Sequence, residues 1–310
     1  MLPLTARLVA RKRMLDGVRR HFDRRGFLEV ETPVLVTSPG LEPHLEPFET
    51  DQVGPDRRRH RRYLHTSPEY GMKKLLGRGL GSIYQVARVF RNGEASATHV
   101  PEFTMLEFYR RPGRWNQVAE DAVEVVFEVA RAVRGTAPAT VRTVDVRTLF
   151  LECGAPDPLD PRAGAAWAAQ RGAPPNESPE DRFFRAFFEA VEPRLPADQL
   201  TVLTGYPADQ AALAELDPED PRRALRFELF WGDLELGNGF QELTDPVEQR
   251  RRFEDEQALR RRLGRAVPPQ DPELLRSLPA IREAAGIAIG LDRVLMRTLG
   301  QVSVQAVLPW

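Results

Sequence analysis

Arg91 ends an apolar run (Ile83, Val86, Val89, Phe90), and His99 follows it in a loop of small residues. The chain then returns in an extended run where Phe103, Met105, Glu107 and Tyr109 fall on one face. Strand, loop and strand bring the ends of this segment together, so Arg91 and His99 can both reach one anionic ligand. An ordinary surface hairpin with a solvated arginine is the alternative at this point. A second block, residues 226–245, holds two strand-like runs around Gly232-Asp233, a hairpin signal. It places Glu228, Glu235 and Glu242 on adjacent strands, with Gly237 and Gly239 removing side chains that would obstruct a ligand. Carboxylates beside apolar residues are costly to bury without cations, so an inward face requires a metal, an amine substrate or arginines. A solvent-facing edge requires none of these. In residues 286–296 an apolar strand turns through Gly290 into a helix starting near Asp292. Arg293 then stands at a helix N-terminus, where backbone donors already favour an anion. Ser67-Pro68-Glu69 opens another helix, with Ser67 at the N-cap and Pro68 at the first helical position. Glu69 lies where strand hands over to helix, a frequent place for ligand contacts.

The elements that must position these residues follow from periodicity. Residues 4–26 read as an amphipathic helix (Leu8, Met14, Leu15, Val18, Phe22) with Thr5 as N-cap, and residues 27–32 as a strand ended by Pro33. Residues 34–62 look irregular, with short extended pieces, and hold a basic cluster, Arg57 to Arg62, either a solvated loop or a docking surface for an acidic partner. Residues 63–66 read as a strand and 115–133 as a second amphipathic helix. The stretch 135–200 is rich in proline and alanine and reads as an inserted helical subdomain, with helices around 146–152, 164–170 and 179–191. A strand over 200–204 follows, and Asp245 caps a long charged helix with a solvated face.

With 310 residues, 42% hydrophobic and 29% charged, the chain can build a sizeable core. A net charge of −1 gives no global field for nucleic acid or membrane. Basic residues are nearly all arginine; Lys12, Lys73 and Lys74 are the only lysines. A lone Cys153 excludes an internal disulfide framework and a multi-cysteine zinc site. No apolar run is long enough to cross a bilayer and no signal peptide is seen, so the chain is expected in the cytoplasm.

Taken in order, the three blocks resemble the class II aminoacyl-tRNA synthetases. The helix and strand ending at Pro33 look like their motif 1, Phe90-Arg91 through Phe103 like motif 2, and Gly286 to Arg293 like motif 3. His99, residues 101–107 (Pro-Glu-Phe-Thr-Met-Leu-Glu), Gly237-Asn238-Gly239-Phe240 and Glu242-Leu243 resemble the lysine-specific branch. With the motif 1 helix starting near Leu4, no room remains for that branch's anticodon-binding barrel. This plan is similar to the free-standing paralogues that attach β-lysine to a lysine of translation elongation factor P. Ala288, where lysyl-tRNA synthetases usually have glycine, points the same way.

The resemblance implies an α+β fold, with an antiparallel sheet flanked by helices, one catalytic domain over 1–310, and a homodimer formed through the motif 1 helix and strand. It implies activation of lysine or β-lysine with ATP and Mg2+ as an aminoacyl adenylate, and transfer to elongation factor P, with tRNA not expected as acceptor. An enzyme acting on tRNA or another acceptor, and a catalytically weak binding or regulatory paralogue, are the alternatives. By the same resemblance Arg91 contacts the α-phosphate, His99 the distal phosphates, Phe103 stacks on adenine, and Arg293 stacks on its other side or meets the γ-phosphate. Asn92, Glu94, Leu236 and Gly290 complete the ATP site. Glu228 and Glu235 match the magnesium carboxylates. Ser67, Pro68, Glu69, Glu107, Tyr109, Asn238, Phe240, Glu242 and Ala288 match the amino-acid pocket, with Glu242 and Tyr109 expected on the side-chain ammonium and Glu69 on the other amine. The order Arg91-Asn92-Gly93-Glu94 departs from the usual Arg-Asn-Glu, and Val100 replaces an asparagine.

Overall fold

A computed structural model describes residues 2–309. Helix α1 (Leu4–Arg24) starts from Pro3 rather than from Thr5, and buries Ala10, Met14, Val18 and Phe22 while Leu4, Leu8 and Val9 stay exposed. The next strand is only two residues long, β1 (Leu28–Glu29). The short extended pieces of residues 34–62 pair with one another. Strands β2 (Leu35–Val36), β3 (Glu49–Val53) and β4 (Arg59–Leu64) form a separate antiparallel sheet in the order β2-β4-β3. Its exposed strands lack an apolar alternation, which is why no period marked them. Charge pairs them instead: Arg61 meets Glu49 and Asp51 across the hairpin, and Arg59 lies 3.5 Å from Asp51. Much of the basic cluster is therefore neutralised within its own sheet.

Helix α2 (Glu69–Gly77), strands β5 (Ile83–Phe90) and β6 (Glu102–Arg110) and helix α3 (Trp115–Val133) come next. Strand β7 (Thr140–Asp145) precedes helices α4 (Val146–Glu152), α5 (Pro161–Ala169) and α6 (Pro179–Ala186), the last continuing through a π-helical turn, Phe187–Val191. Then follow β8 (Gln199–Thr204), β9 (Arg226–Trp231), β10 (Leu234–Gln241), α7 (Pro246–Arg262), α8 (Pro272–Ile281), β11 (Ala285–Gly290) and α9 (Leu291–Thr298). Eight strands form the principal sheet in the order β1-β5-β6-β11-β10-β9-β8-β7. Its interior pairs are antiparallel, but β1–β5 and β7–β8 at the edges are parallel. The stretch 135–200 is thus not wholly helical, because β7 extends the principal sheet, while its helices pack on β7 and β8 around Phe150, Phe183 and Phe187.

Alternation along the strands divides the sheet's two faces. Leu106, Phe108, Phe227, Leu229, Ile287 and Ile289 pack with α1, α3 and α9 in the main core. The opposite face carries Phe103, Met105, Glu107, Tyr109, Asn238, Phe240 and Ala288; α2, α7 and α8 close part of it around Tyr70, Phe253 and Leu274. The first helix is wired to the last one. Arg11 Nη1 donates to Asp292 Oδ1 at 2.5 Å, Arg11 also donates to Thr104 Oγ1, and the Thr104 amide donates to Asp292 Oδ2 at 2.7 Å. No helix among the described residues is long and apolar enough to cross a membrane.

Candidate active site

A cavity of about 660 Å3 opens on the second face of the sheet. One end is cationic. The Arg91 guanidinium lies 5.2 Å from the centroid of the Phe103 ring, a cation–π arrangement, and 3.7 Å from Glu94. Arg293, in the first turn of α9, donates from Nη1 to the Glu235 carbonyl at 2.8 Å, from Nε to the Thr98 carbonyl at 3.3 Å, and from Nη2 to His99 Nε2 at 2.5 Å. A His99 that accepts at Nε2 carries its proton on Nδ1, which faces Ser96 Oγ at 2.9 Å. Burial and the Arg293 charge both lower the His99 pKa, so the ring is neutral and the arginine keeps its charge for an anion. The strand-end arginine, the loop histidine and the helix-start arginine thus meet at one place.

Gly93 explains the altered order in this loop. Its φ of +80° is open to glycine at little cost, and this turn accompanies Glu94 on the cavity wall. The Asn92 amide instead donates to the Glu46 carbonyl at 2.7 Å, and Asn92 does not line the cavity. Leu236 and Gly290 do line it, as does Val100.

The other end is rich in carboxylates, and their partners divide them. Ser67, Glu69, Asn238, Phe240 and Ala288 line the cavity, but Pro68, Glu107, Tyr109 and Glu242 do not. Glu107 is buried beneath it, accepting from Ser67 Oγ and Tyr109 Oη, each at 2.5 Å. Burial and the Glu69 charge push Glu107 up to about 8. Lys73, one turn along α2 from Glu69, places Nζ 2.6 Å from Glu69 Oε1 and 2.5 Å from Glu242 Oε2. Lys73 and Glu242 are each 1% exposed. Burial works against the ammonium, yet Glu242 and Glu69 outweigh it and raise its pKa. Of the two residues expected on the substrate's side-chain ammonium, Glu242 is held by Lys73 and Tyr109 donates to Glu107. Neither oxygen of Glu242 receives a well-formed hydrogen bond, so the charge contact is its main support.

Strands β9 and β10 also differ from expectation. Glu228 accepts from Tyr206 Oη at 2.6 Å and is ion-paired with Arg226, which also donates to Asn238 Oδ1 at 3.1 Å. It does not line the cavity, whereas Glu235 does. Magnesium prefers few carboxylates among phosphate oxygens, so Glu235 fits as a ligand and Glu228 fits only by leaving Arg226 and Tyr206. Gly237 and Gly239 serve the neighbouring strand first, since a Cβ on either would come within 2.5 or 2.6 Å of the Ala288 or Gly286 carbonyl. The charged helix α7 is not simply solvated, because Arg252, Glu256 and Leu259 form cavity wall. Glu42, from the loop before β3, joins them. Lys73, Glu42 and Glu256 were not singled out from the sequence; only the four-residue spacing of Glu69 and Lys73 on a helix carried a signal.

Comparison with known proteins agrees with this architecture. The chain belongs to the class II tRNA synthetases (D, K and N), whose family pattern matches residues 3–310. Within that class it is similar to proteins named Elongation factor P–(R)-β-lysine ligase. It is 38% identical over 298 residues to the one from Enterobacter sp. (strain 638), covering 94% of this chain and 91% of the relative. Identity is 40% over 301 residues with that of Erwinia tasmaniensis, covering 95% and 91%, and 37% over 307 residues with that of Avibacterium paragallinarum, covering 97% and 94%. The resemblance read from the three motifs is thus borne out, as is the α+β class.

Proposed function

We propose that this protein is an ATP-dependent ligase that activates lysine or β-lysine as an aminoacyl adenylate and transfers it to a lysine side chain of translation elongation factor P. The observation that carries this reading is one cavity with a cationic end, Arg91 and Arg293, and a carboxylate end around Glu69. Arg91 and Arg293 are the catalytic residues in this reading, and the ligase name shared by the similar proteins supports the acceptor and the amino acid.

ATP would lie along Arg91, His99, Phe103 and Arg293, its adenine against Phe103. A substrate carboxylate oxygen attacks the α-phosphorus, the bond to the β-phosphate oxygen breaks, and pyrophosphate leaves. Arg91 neutralises charge at the α-phosphate and Arg293 at the distal phosphates; their fixed positions provide the alignment. Mg2+, held by Glu235 and phosphate oxygens, would supply further neutralisation. The acceptor amine then attacks the carbonyl carbon, AMP leaves, and the amine loses a proton. The enzyme works in the cytoplasm as a homodimer, with the exposed side of α1 in the dimer contact.

Amino-acid-dependent pyrophosphate exchange with lysine, with β-lysine and with no amino acid tests the reading. Exchange with a lysine isomer, followed by label transfer to elongation factor P and not to tRNA, is the expected result. Absence of exchange with both isomers would exclude a ligase, and charging of tRNA would redirect the acceptor.

A further inference from the structure

Two carboxylates at the cavity have no cation of their own. Glu42 lines the cavity and its carboxylate forms no ion pair among the described residues. Glu256, on α7, likewise has no hydrogen-bonded or ion-paired partner among the described residues, although Arg252 one turn earlier pairs with Glu248. The basic groups that act on these two, Arg91, Arg252 and Arg260, have partners elsewhere. Arg260, fully buried, donates from Nη1 to the carbonyls of Glu42 and Leu45, both at 2.8 Å, and faces Glu46 at 3.3 Å. It fixes the backbone of the loop without pairing the Glu42 carboxylate. The loop also makes room for that group, because a Cβ on Gly40, whose φ is +120°, would stand 2.4 Å from Glu42 Oε2.

Both carboxylates lie among like charges. Glu69 opposes ionisation of Glu42, and Glu42 and Glu69 together oppose ionisation of Glu256, in each case after burial. Lys73 is held between Glu69 and Glu242 and makes no ion pair with Glu42 or Glu256. Arg91 is among the charges acting on Glu42, whereas those acting most on Glu256 are Glu42, Glu69, Arg252 and Arg260. Glu42, Glu69 and Arg91 all line the cavity, so an amino acid whose carboxylate meets Arg91 shares that cavity with Glu42.

We propose that Glu42, which lines the cavity together with Glu69 and Glu256, is the receptor for the substrate amine nearer the reacting carboxylate, and that it selects diamino acids over acids with a single remote amine. This rests on the proposed function and adds a specificity residue to it. An ammonium there would be received by the Glu42 carboxyl group, which has no ion-pair partner among the described residues, whereas a substrate without that amine would gain nothing from it.

The test compares the wild type with Glu42→Gln and Glu42→Asp, using β-lysine, lysine and ε-aminocaproate, which is lysine without its second amine. Binding is read by calorimetry and activation by pyrophosphate exchange. The wild type should prefer a diamino acid over ε-aminocaproate, and Glu42→Gln should weaken the diamino acid by about 10- to 100-fold while leaving ε-aminocaproate within about twofold. Glu42→Asp should restore part of the preference, and Glu256→Gln should reduce it less. Lack of preference in the wild type, or equal weakening of both ligand types in Glu42→Gln, overturns the proposal. Wild-type binding with preference but no exchange would sink the ligase reading and leave the amine receptor standing.

Discussion

Lys73 reaches Glu242 from a different part of the chain, Nζ to Oε2 at 2.5 Å, and thereby neutralises a carboxylate that is otherwise without a well-formed partner. Removing one member of a buried pair strands the other. Lys73→Met should therefore cost about 3–5 kcal/mol of stability, read by urea unfolding. Lys73→Met with Glu242→Leu should recover most of that loss, while lysine-dependent pyrophosphate exchange remains impaired in both.

Glu107 gives a pH dependence with a definite sign. Its carboxyl titrates near 4.5 when exposed and at about 8 in the fold, so between these values the folded protein holds a proton that the unfolded chain has lost. Stability contributed by this group is full below 4.5 and falls as pH rises towards 8, by up to about 1.4 kcal/mol per pH unit. Glu107→Gln keeps the shape and cannot ionise. Its unfolding free energy should vary less across this window, and an unchanged pH slope would count against a protonated Glu107.

His21 acts on the acid side. Burial, aided by Arg25, lowers its pKa from 6.5 to about 4, and its Nε2 has no hydrogen-bond partner. The unfolded chain takes up a proton in this range and the folded protein does not, so stability present above 6.5 is lost as pH falls towards 4. His21→Phe, beside Phe22 with its ring centroid 5.0 Å away, should raise the urea midpoint at acid pH more than at neutral pH.

Gly93 should be intolerant of a branched side chain. Gly93→Val at a φ of +80° should destabilise the loop by about 1–2 kcal/mol. Displacement of Arg91 and Glu94 should raise the KM for ATP by roughly ten- to hundredfold. Circular dichroism and the global unfolding midpoint should change little.

Much of this arrangement was legible because its signals are local. Alternation in 83–90 and 102–110, the Gly232-Asp233 turn and the Gly290 turn gave β5, β6, the β9–β10 hairpin and the β11–α9 junction. Capping by Asp245 gave the start of α7. The small sheet was hidden because cross-strand charge, not apolar alternation, accompanies its pairing. Strand β7 was hidden in a proline- and alanine-rich stretch, and its partner β8 lies beyond three intervening helices. In the site, Arg91, His99, Phe103, Glu235 and Arg293 reach the cavity from the motifs that named them. Which cation neutralises a buried carboxylate is decided by tertiary packing. Glu242 with Lys73 and Glu228 with Arg226 therefore stand differently from a motif-based reading, and Glu42 and Glu256 carried no motif at all.

Arg11 joins α1 to Asp292, the neighbour of Arg293, while Leu4 and Leu8 of the same helix remain open to solvent. A single side chain separates the outer surface of the molecule from the turn that aims the phosphate-facing arginine. Arg11→Met should therefore lower pyrophosphate exchange from a distance, by freeing Asp292, which lines the cavity beside Arg293.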